Sequence, residues 1–238
     1  MRVNLQPAFV LHQRSYRETS LLIDCLTLEY GRISLVARGI RKPRSRLRAL
    51  LQPCVPLLIS YQDQSELGLL FSAEADGIPI ALKGQSLLAA FYLNELLMRV
   101  LHKHDPFPGI FAVYRETLQA LQQGNLLQKT LRLFEKKVLT ELGYGLQLQY
   151  DIAEGKGFSV EKVYRFYPEQ GFECLKQNDP VSEVFIFSGK SLLAFANDTL
   201  ENEESLRDAK RLMRLAFAPL IGAKPLQSRK LFIEVDTV

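Results

Sequence analysis

The sequence contains no tryptophan and only three cysteines, which lie far apart along the chain. Cys25, Cys54 and Cys174 form no CxxC pair, so the sequence favours neither a disulfide framework nor a zinc knuckle. Free cysteines are among the most often buried residues, and we expect all three to be buried thiols. We therefore expect no metal and no other cofactor.

Long hydrophobic runs are also missing. No stretch approaches the roughly 18 uninterrupted apolar residues of a membrane span. The N-terminal stretch MRVNLQPAFV lacks the basic-then-apolar layout of a signal peptide. With 47% hydrophobic and 24% charged residues among 238, the chain can form one or two ordinary cores. These features predict a soluble, globular protein of the cytoplasm that does not enter a membrane.

Common catalytic signatures are missing as well. The three histidines form no HExxH motif, and no GxSxG motif occurs. The stretch VFIFSGKS resembles a phosphate-binding loop, but Val184 stands where such a loop requires its first glycine. Ser188 as the N-cap of a helix starting near Gly189 explains the stretch without a nucleotide. The sequence therefore predicts a protein that is not an enzyme.

One segment has no acidic residue at all. The run RGIRKPRSRLR, residues 38–48, holds six Lys or Arg residues in eleven positions. Residues 1–60 carry ten basic and three acidic side chains, whereas residues 61–238 carry twenty and twenty-three. Such asymmetry points to a polyanion as the partner. The alternative is a solvated loop that only keeps the protein soluble, although natural surfaces usually mix both signs of charge.

The flanks of the basic run predict five β-strands. These apolar, partly alternating segments are PAFVLHQR, ETSLLIDCLTLE, GRISLVARG, CVPLLISYQ and ELGLLFSAE. Tyr30 and Gly31 supply the turn between the second and third strands. Five strands within about 75 residues fit an OB-fold, a five-stranded barrel that commonly binds oligonucleotides. The basic run is then the loop between strands three and four, where Gly39 and Pro43 argue against continuous strand.

Nucleic-acid contacts are expected around this loop, whose side chains can reach phosphates from several directions. Arg14, Arg17 and Arg32 lie nearby in sequence, at strand ends or turns. Tyr16 or Phe9 would offer a ring on which a base can stack, although such aromatics more often belong to a core.

After residue 80 the hydrophobic period changes from 2 to 3.6, which predicts helices. The segment GQSLLAAFYLNELLMRVL, residues 84–101, is apolar nearly all round and predicts a buried helix. GIFAVYRETLQAL carries one apolar stripe, and residues 127–142 carry another that ends at Gly143 in a left-handed C-cap. In the polar stretch 146–183, VYRFYPEQGFECL predicts a hairpin around a Pro-Glu-Gln-Gly turn.

The predicted fold class is α+β. An OB-fold barrel occupies residues 1–80, and a mainly α-helical domain with a small β-hairpin insertion occupies residues 81–238. In the last long helix, ESLRDAKRLMRLAFAPLIG, an apolar stripe is bordered by Arg207, Lys210, Arg211 and Arg214. These cations either form a solvated face or receive a peptide that ends in acidic and aromatic residues.

Four segments together resemble the RecO family of bacterial recombination mediators. They are AFVLHQRSYRETSLLIDCLTLEYGRISLVARGIRKPRSRLRALLQPCVPLLI, YLNELLMRVL, LFEKKVLTELGYG and LRDAKRLMRLAFAPLIGAKPLQSRKLF, and they occur in the same order over nearly the whole chain. The resemblance implies an N-terminal OB-fold followed by a helical domain. It also implies a nucleoid-associated protein that binds single- and double-stranded DNA, anneals complementary strands and binds the C-terminal tail of single-stranded DNA-binding protein (SSB). With RecR, such a protein promotes RecA loading in gap and double-strand-break repair.

The resemblance also assigns residues. The basic segment of the family's OB domain, which would contact DNA, is matched by Arg38, Arg41, Lys42, Arg44, Arg46 and Arg48. With Arg14 and Arg32 they form the predicted DNA-binding set. The region that receives the SSB tail in the family is matched by Arg132, Phe134, Lys210, Arg214 and Phe217. Some family members hold a four-cysteine zinc site after the LGYG segment, where this chain has only Cys174, so we predict a zinc-free insertion.

Two other functions remain open at this stage. An OB-fold protein that acts on structured RNA would share the basic loop. An adaptor whose basic patches bind acidic proteins would share it too, and would not bind DNA.

Overall fold

The structure is a computed structural model. It describes residues 1–41, 45, 47–63, 67–124, 126–176 and 182–235, and for residues 232–235 only the backbone. Three of the predicted DNA contacts, Lys42, Arg44 and Arg46, lie outside the described residues. None of the helices in the described ranges has the length and apolar character that a bilayer span needs. The chain divides into two compact units, residues 1–125 with 224–238 and residues 126–223.

A closed five-stranded barrel forms the base of the first unit, which confirms the predicted strands and fold class. The strands are β1 (Arg2–Tyr16), β2 (Ser20–Thr27), β3 (Gly31–Ala37), β4 (Pro56–Gln62) and β5 (Gly68–Ala75). Around the barrel their order is β1-β2-β3-β5-β4. Only β3 and β5 pair in parallel among these strands. The barrel interior is filled by apolar side chains such as Val10, Ile23, Ile33, Leu35 and Ile59.

Four helices belong to the same unit as the barrel. They are α1 (Leu47–Leu50), α2 (Gly84–Val100), α3 (Pro108–Gln122) and α7 (Ser228–Val235). The compact unit therefore extends past the predicted boundary at residue 80. The predicted buried helix is confirmed as α2, of which one long side is enclosed. The short helix α1 interrupts what the sequence predicts as a continuous loop after β3.

The outer side of β1 packs against α2 and α3 at its middle. The Phe9 ring centroid is 5.4 Å from that of Phe111 and 5.1 Å from that of Tyr114. Asn94 donates a hydrogen bond of 3.0 Å to the Leu11 carbonyl and accepts one of 2.5 Å from the Tyr114 hydroxyl. Phe9 is fully buried. The expectation that Phe9 offers a stacking surface is wrong, because helices cover this part of the barrel.

Two of the three cysteines are buried, as predicted. Cys25 lies in the barrel core and Cys54 lies under α2 and α3, close to the Tyr114 hydroxyl. Burial raises the pKa of both thiols, so they stay neutral at physiological pH. Cys174 is only partly buried and departs from the prediction.

The second unit combines helices with a three-stranded antiparallel sheet of order β7-β6-β8. Its elements are α4 (Leu127–Glu141), β6 (Val163–Tyr167), β7 (Gly171–Cys174), a 3-10 turn (Glu183–Phe185), β8 (Ile186–Ser188), α5 (Gly189–Ala196) and α6 (Glu203–Ile221). The predicted hairpin is confirmed, with β8 as a third strand. Ser188 caps α5 by accepting a hydrogen bond from the Ser191 amide, as predicted. Gly143, with φ of +82°, ends α4 in the predicted left-handed conformation.

A buried carboxylate holds the loop that precedes this sheet. Asp151 is 3% exposed and accepts hydrogen bonds from the backbone amides of Ala153 (2.7 Å), Glu154 (2.9 Å) and Cys174 (2.6 Å). Burial raises the pKa of Asp151, but the three amides lower it by more, and the pKa lies below its ordinary value. The carboxylate thus links its own loop to strand β7.

We expect Asp151→Asn to destabilise the second unit by about 2 kcal/mol near pH 7, because an amide cannot accept all three hydrogen bonds. A carboxylate with a lowered folded pKa contributes stability above its unfolded pKa of about 3.9, and the contribution is lost as the pH falls through the folded pKa. The difference between the two proteins should therefore shrink toward pH 3. Urea unfolding at several pH values measures it. Glu154→Gln is the control, since that side chain is exposed and pairs with Lys156 at 3.2 Å. An equal effect of both substitutions would contradict the role of Asp151.

Candidate nucleic-acid interface

A polar row crosses the outer face of strands β1, β2 and β3. The pairing register of β1 shifts between Val10, which pairs with Cys25, and His12, which pairs with Asp24. Asp24 pairs in turn with Ser34 on β3. Successive side chains of a strand point to opposite faces, and Cys25 points into the core. Asp24 and its two neighbours in the row therefore lie on the outside of the barrel.

This row lies in an open groove with a volume of about 550 Å³. The lining residues are His12, Arg14, Tyr16, Leu22, Asp24, Ser34, Leu67, Met98 and Lys103. Arg14 and Lys103 are exposed and form a cationic rim, whereas Leu22 and Asp24 are nearly buried and form the floor. A groove with cations along its rim suits a polyanionic strand whose phosphates follow that rim.

The Asp24 carboxylate is held in place by its neighbours. Its Oδ1 accepts a hydrogen bond of 2.6 Å from the Ser34 hydroxyl and lies 4.0 Å from the Arg32 guanidinium. Its Oδ2 lies 3.7 Å from Nδ1 of His12. The carboxylate therefore has a fixed position at the floor of a groove whose rim is cationic.

Arg32, a predicted DNA contact, lies on the outer face of β3 and is largely covered there by the segment after α2. Its side chain is 14% exposed, and its Nε donates a hydrogen bond of 3.1 Å to the Leu101 carbonyl. Burial lowers the pKa of Arg32, and the neighbouring Asp24 opposes that shift. This placement does not favour the predicted phosphate contact, since the guanidinium is mostly covered and is tied to the backbone after α2.

Cations of the basic run meet those of the β1–β2 turn at one end of the groove. The Arg41 amide donates a hydrogen bond of 2.9 Å to the Thr19 carbonyl, and the Arg41 guanidinium donates one of 3.3 Å to the Arg17 carbonyl. The Arg17 guanidinium lies 5.2 Å from the centre of the Tyr16 ring. The remaining described members of the predicted set, Arg14, Arg38 and Arg48, are exposed. Tyr16 is partly buried and lines the groove.

Lys103 lines the groove because the segment after α2 contacts β3, and the sequence did not predict this contact. The segment after α2 runs beside β3, where the His104 amide donates a hydrogen bond of 3.0 Å to the Arg32 carbonyl. Gly31 permits this approach: a Cβ atom there would lie 2.1 Å from the Asp105 carbonyl oxygen. The glycine in the predicted turn was the one sequence signal, but it did not identify the segment that approaches.

The residues predicted to receive the SSB tail lie in the second unit, and three of them are enclosed. Phe134 on α4 and Phe217 on α6 are each 1% exposed. Arg132 is 5% exposed and forms an ion pair of 2.9 Å with the fully buried Glu135. This corrects their predicted role, because side chains in the core cannot contact a peptide on the surface.

The other two predicted tail contacts, Lys210 and Arg214, are exposed on α6. Arg211, between them in sequence, turns toward the protein instead. Its guanidinium donates hydrogen bonds to the Glu183 carbonyl (2.9 Å) and the Asp208 carboxylate (2.7 Å), and lies 4.4 Å from the Phe187 ring centre. The outer face of α6 thus remains cationic.

The cysteine content of the second unit does not fit the four-cysteine zinc site that the family resemblance implies for some members. Cys174 is the only cysteine between residues 126 and 223. Within the described ranges, His, Cys, Asp and Glu form no group of three that could hold a metal. The Asp151 carboxylate, which accepts a hydrogen bond from the Cys174 amide, accepts three backbone hydrogen bonds in all.

A closed five-stranded barrel with a cation-rimmed groove on its outer face has the architecture of the OB-fold class of oligonucleotide-binding proteins. Comparison with known proteins identifies the family. Residues 1–77 match the family described as Recombination protein O N terminal, and residues 82–230 match Recombination protein O C terminal. The chain belongs to the Recombination protein O, or RecO, family.

Individual relatives match almost end to end. A protein named DNA repair protein RecO from Coxiella burnetii (strain RSA 331 / Henzerling II) is 44% identical over 230 residues, which is 97% of this chain and 98% of the relative. Its namesake from Nitrosococcus oceani is 43% identical over 99% of this chain and 95% of the relative. That from Aliivibrio fischeri (strain MJ11) is 38% identical over 98% and 97%. The two family matches also divide the chain near residue 80, whereas the compact units divide it at residue 125.

Proposed function

We propose that this protein is a DNA-binding recombination mediator that binds single-stranded DNA and anneals complementary strands. The observation that carries the proposal is the groove on the barrel, which Arg14 and Lys103 line together with the half-buried ring of Tyr16, while Arg41 of the basic run lies at the adjoining β1–β2 turn. Among the residues that the structure describes, we assign the phosphate contacts to Arg14, Arg38, Arg41 and Arg48. Membership of the RecO family, whose relatives are named DNA repair proteins, supports the same function.

Binding in this proposal depends on charge and needs no covalent chemistry. Each Lys or Arg that contacts a phosphate releases a condensed counterion, so affinity falls as salt rises. Roughly six contacts on a single strand correspond to a slope of about −4 in log affinity against log salt concentration. Neutralising the phosphates of two complementary strands lowers their repulsion and allows their bases to pair.

The proposal also assigns protein partners, and the first of them binds the second unit. The acidic C-terminal tail of SSB binds the cationic outer face of α6, where Lys210 and Arg214 meet its carboxylates, while Phe134, Phe217 and the buried Arg132 support that face from within. Tethering to SSB on DNA raises the local concentration of the barrel at single strands. Together with RecR, the bound protein promotes RecA loading in gap and double-strand-break repair.

An annealing assay with competitors tests the function. We expect the protein to accelerate pairing of two complementary labelled strands, and unlabelled single-stranded DNA to compete for binding at least as well as RNA of equal length and sequence. Tighter binding of RNA would favour the alternative of an RNA-binding OB-fold protein. Failure to bind either nucleic acid at low salt would favour an adaptor for acidic proteins.

A further inference from the structure

The floor of the groove differs in charge from its rim. Arg14 and Lys103 are exposed cations, but Asp24 is an acid that is only 7% exposed. A phosphate is repelled by the carboxylate and attracted by the rim. A strand bound in this groove therefore places its phosphates along the rim and its bases toward the floor. This step rests on the proposed binding of single strands.

The Asp24 carboxylate has one oxygen to offer to a ligand. Oδ1 accepts the hydrogen bond from Ser34. Among the described residues, none donates a hydrogen bond to Oδ2, and Nδ1 of His12 lies 3.7 Å from it. Asp24 itself lines the groove. Oδ2 is thus a charged acceptor, held by Ser34 and the strand pairing, at the depth that the bases of a bound strand would reach.

We infer that Asp24 is a base-reading residue that favours bases with an exocyclic amino group. A carboxylate can only accept hydrogen bonds, and it accepts well from N4 of cytosine. Uracil and thymine carry a carbonyl oxygen at that position, which a carboxylate repels. In both, the remaining donor, N3–H, stands between two carbonyl oxygens. The protein then binds cytosine-rich single strands more tightly than uracil- or thymine-rich ones.

Oligo-deoxycytidine and oligo-deoxyuridine of about 20 nucleotides are the probes, longer than the roughly 4 to 16 nucleotides that one OB-fold covers. Both are pyrimidine strands without the thymine methyl group. We expect the native protein to bind the cytosine strand about fivefold more tightly, the difference that one charge-assisted hydrogen bond of modest strength provides. Because the phosphates are identical, the ratio of the two dissociation constants should persist as added salt weakens both.

Asp24→Asn tests the role of the carboxylate. Loss of the negative charge should tighten binding of both strands, while the ratio falls to about one, because an amide can donate to the uracil oxygen as readily as it accepts from cytosine. Glu74→Gln is the control: it removes one negative charge from the barrel at an exposed side chain of β5 that does not line the groove, and the preference should remain. Thermal unfolding establishes that both variants are folded.

Three outcomes decide the inference. A cytosine preference that disappears in Asp24→Asn and remains in Glu74→Gln supports it. Equal affinity of the native protein for the two strands, or a preference that survives Asp24→Asn, overturns it and leaves the proposed function intact. Absence of binding to both strands at low salt overturns the proposed function itself.

Discussion

Replacing Arg14, Arg38 and Arg41 together with alanine should weaken binding of single-stranded DNA by about a hundredfold at low salt, and should abolish annealing. All three are exposed: Arg14 lines the groove, Arg41 contacts the β1–β2 turn, and Arg38 follows the end of β3, where Ala37 pairs with Leu21. Loss of three phosphate contacts also predicts a change in salt dependence, from a slope of about −4 to a slope of about −2. Fluorescence anisotropy of a labelled strand, titrated at several salt concentrations, measures both effects.

A matched variant distinguishes the contribution of the groove to DNA affinity from that of the overall net charge. Lys156, Lys162 and Lys190 are exposed lysines of the second unit, and their joint replacement with alanine changes the overall charge by the same amount. This control should keep nearly all of the DNA affinity. An equal loss in the two variants would mean that only the total charge matters, and would contradict a binding groove on the barrel.

Peptide binding by the same triple arginine variant tests whether DNA and the SSB tail use separate sites. The triple arginine variant should still bind a peptide with the sequence of the SSB tail. Joint replacement of Lys210 and Arg214 with alanine should have the reverse effect, with loss of peptide binding and retention of DNA binding. Loss of both activities in either folded variant would contradict two separate sites.

Gly31→Ala should strongly destabilise the first unit. Gly31 has φ of +64°, and a Cβ atom would lie 2.1 Å from the Asp105 carbonyl oxygen. Backbone strain of about 1–3 kcal/mol adds to a steric cost of similar size, and the sum of about 4 kcal/mol corresponds to a Tm lower by about 15 °C. DNA binding should weaken too, because displacement of this segment removes Lys103 from the groove. Thermal unfolding followed by circular dichroism measures the effect.

Gly77→Ala is the control for the steric part of that effect. Gly77 has a similar φ of +81°, but a Cβ atom there would meet nothing within 4 Å. Only the backbone strain, about 1 kcal/mol, is then expected. A loss of stability as large as that of Gly31→Ala would show that the contact with Asp105 is unimportant.

Local signals in the sequence predicted much of the fold. The five strands follow from apolar alternation, and the capped ends at Gly143 and Ser188 follow from backbone conformation and side-chain chemistry. The α+β class and the hairpin of the second unit follow in the same way. Each of these features depends on residues that are close together in the chain.

Features that depend on distant residues were harder to predict. Phe9 and Tyr16 lie on the same strand, but helices α2 and α3 cover one ring and leave the other in the groove. Strand alternation identifies a face without showing what covers it. Phe134 and Phe217 present the same difficulty, since an apolar stripe beside cations is compatible with either a groove or a core. Asp24 went unnoticed because its position depends on pairing across three strands.

The most direct test of the proposed function is a titration of the native protein against a labelled single strand at about 50 mM and about 200 mM salt. Roughly six phosphate contacts predict clear binding at the lower concentration and a dissociation constant about 300-fold higher at the upper one. Absence of binding at 50 mM salt, or an affinity that does not change with salt, would contradict the assignment of the cationic groove to DNA.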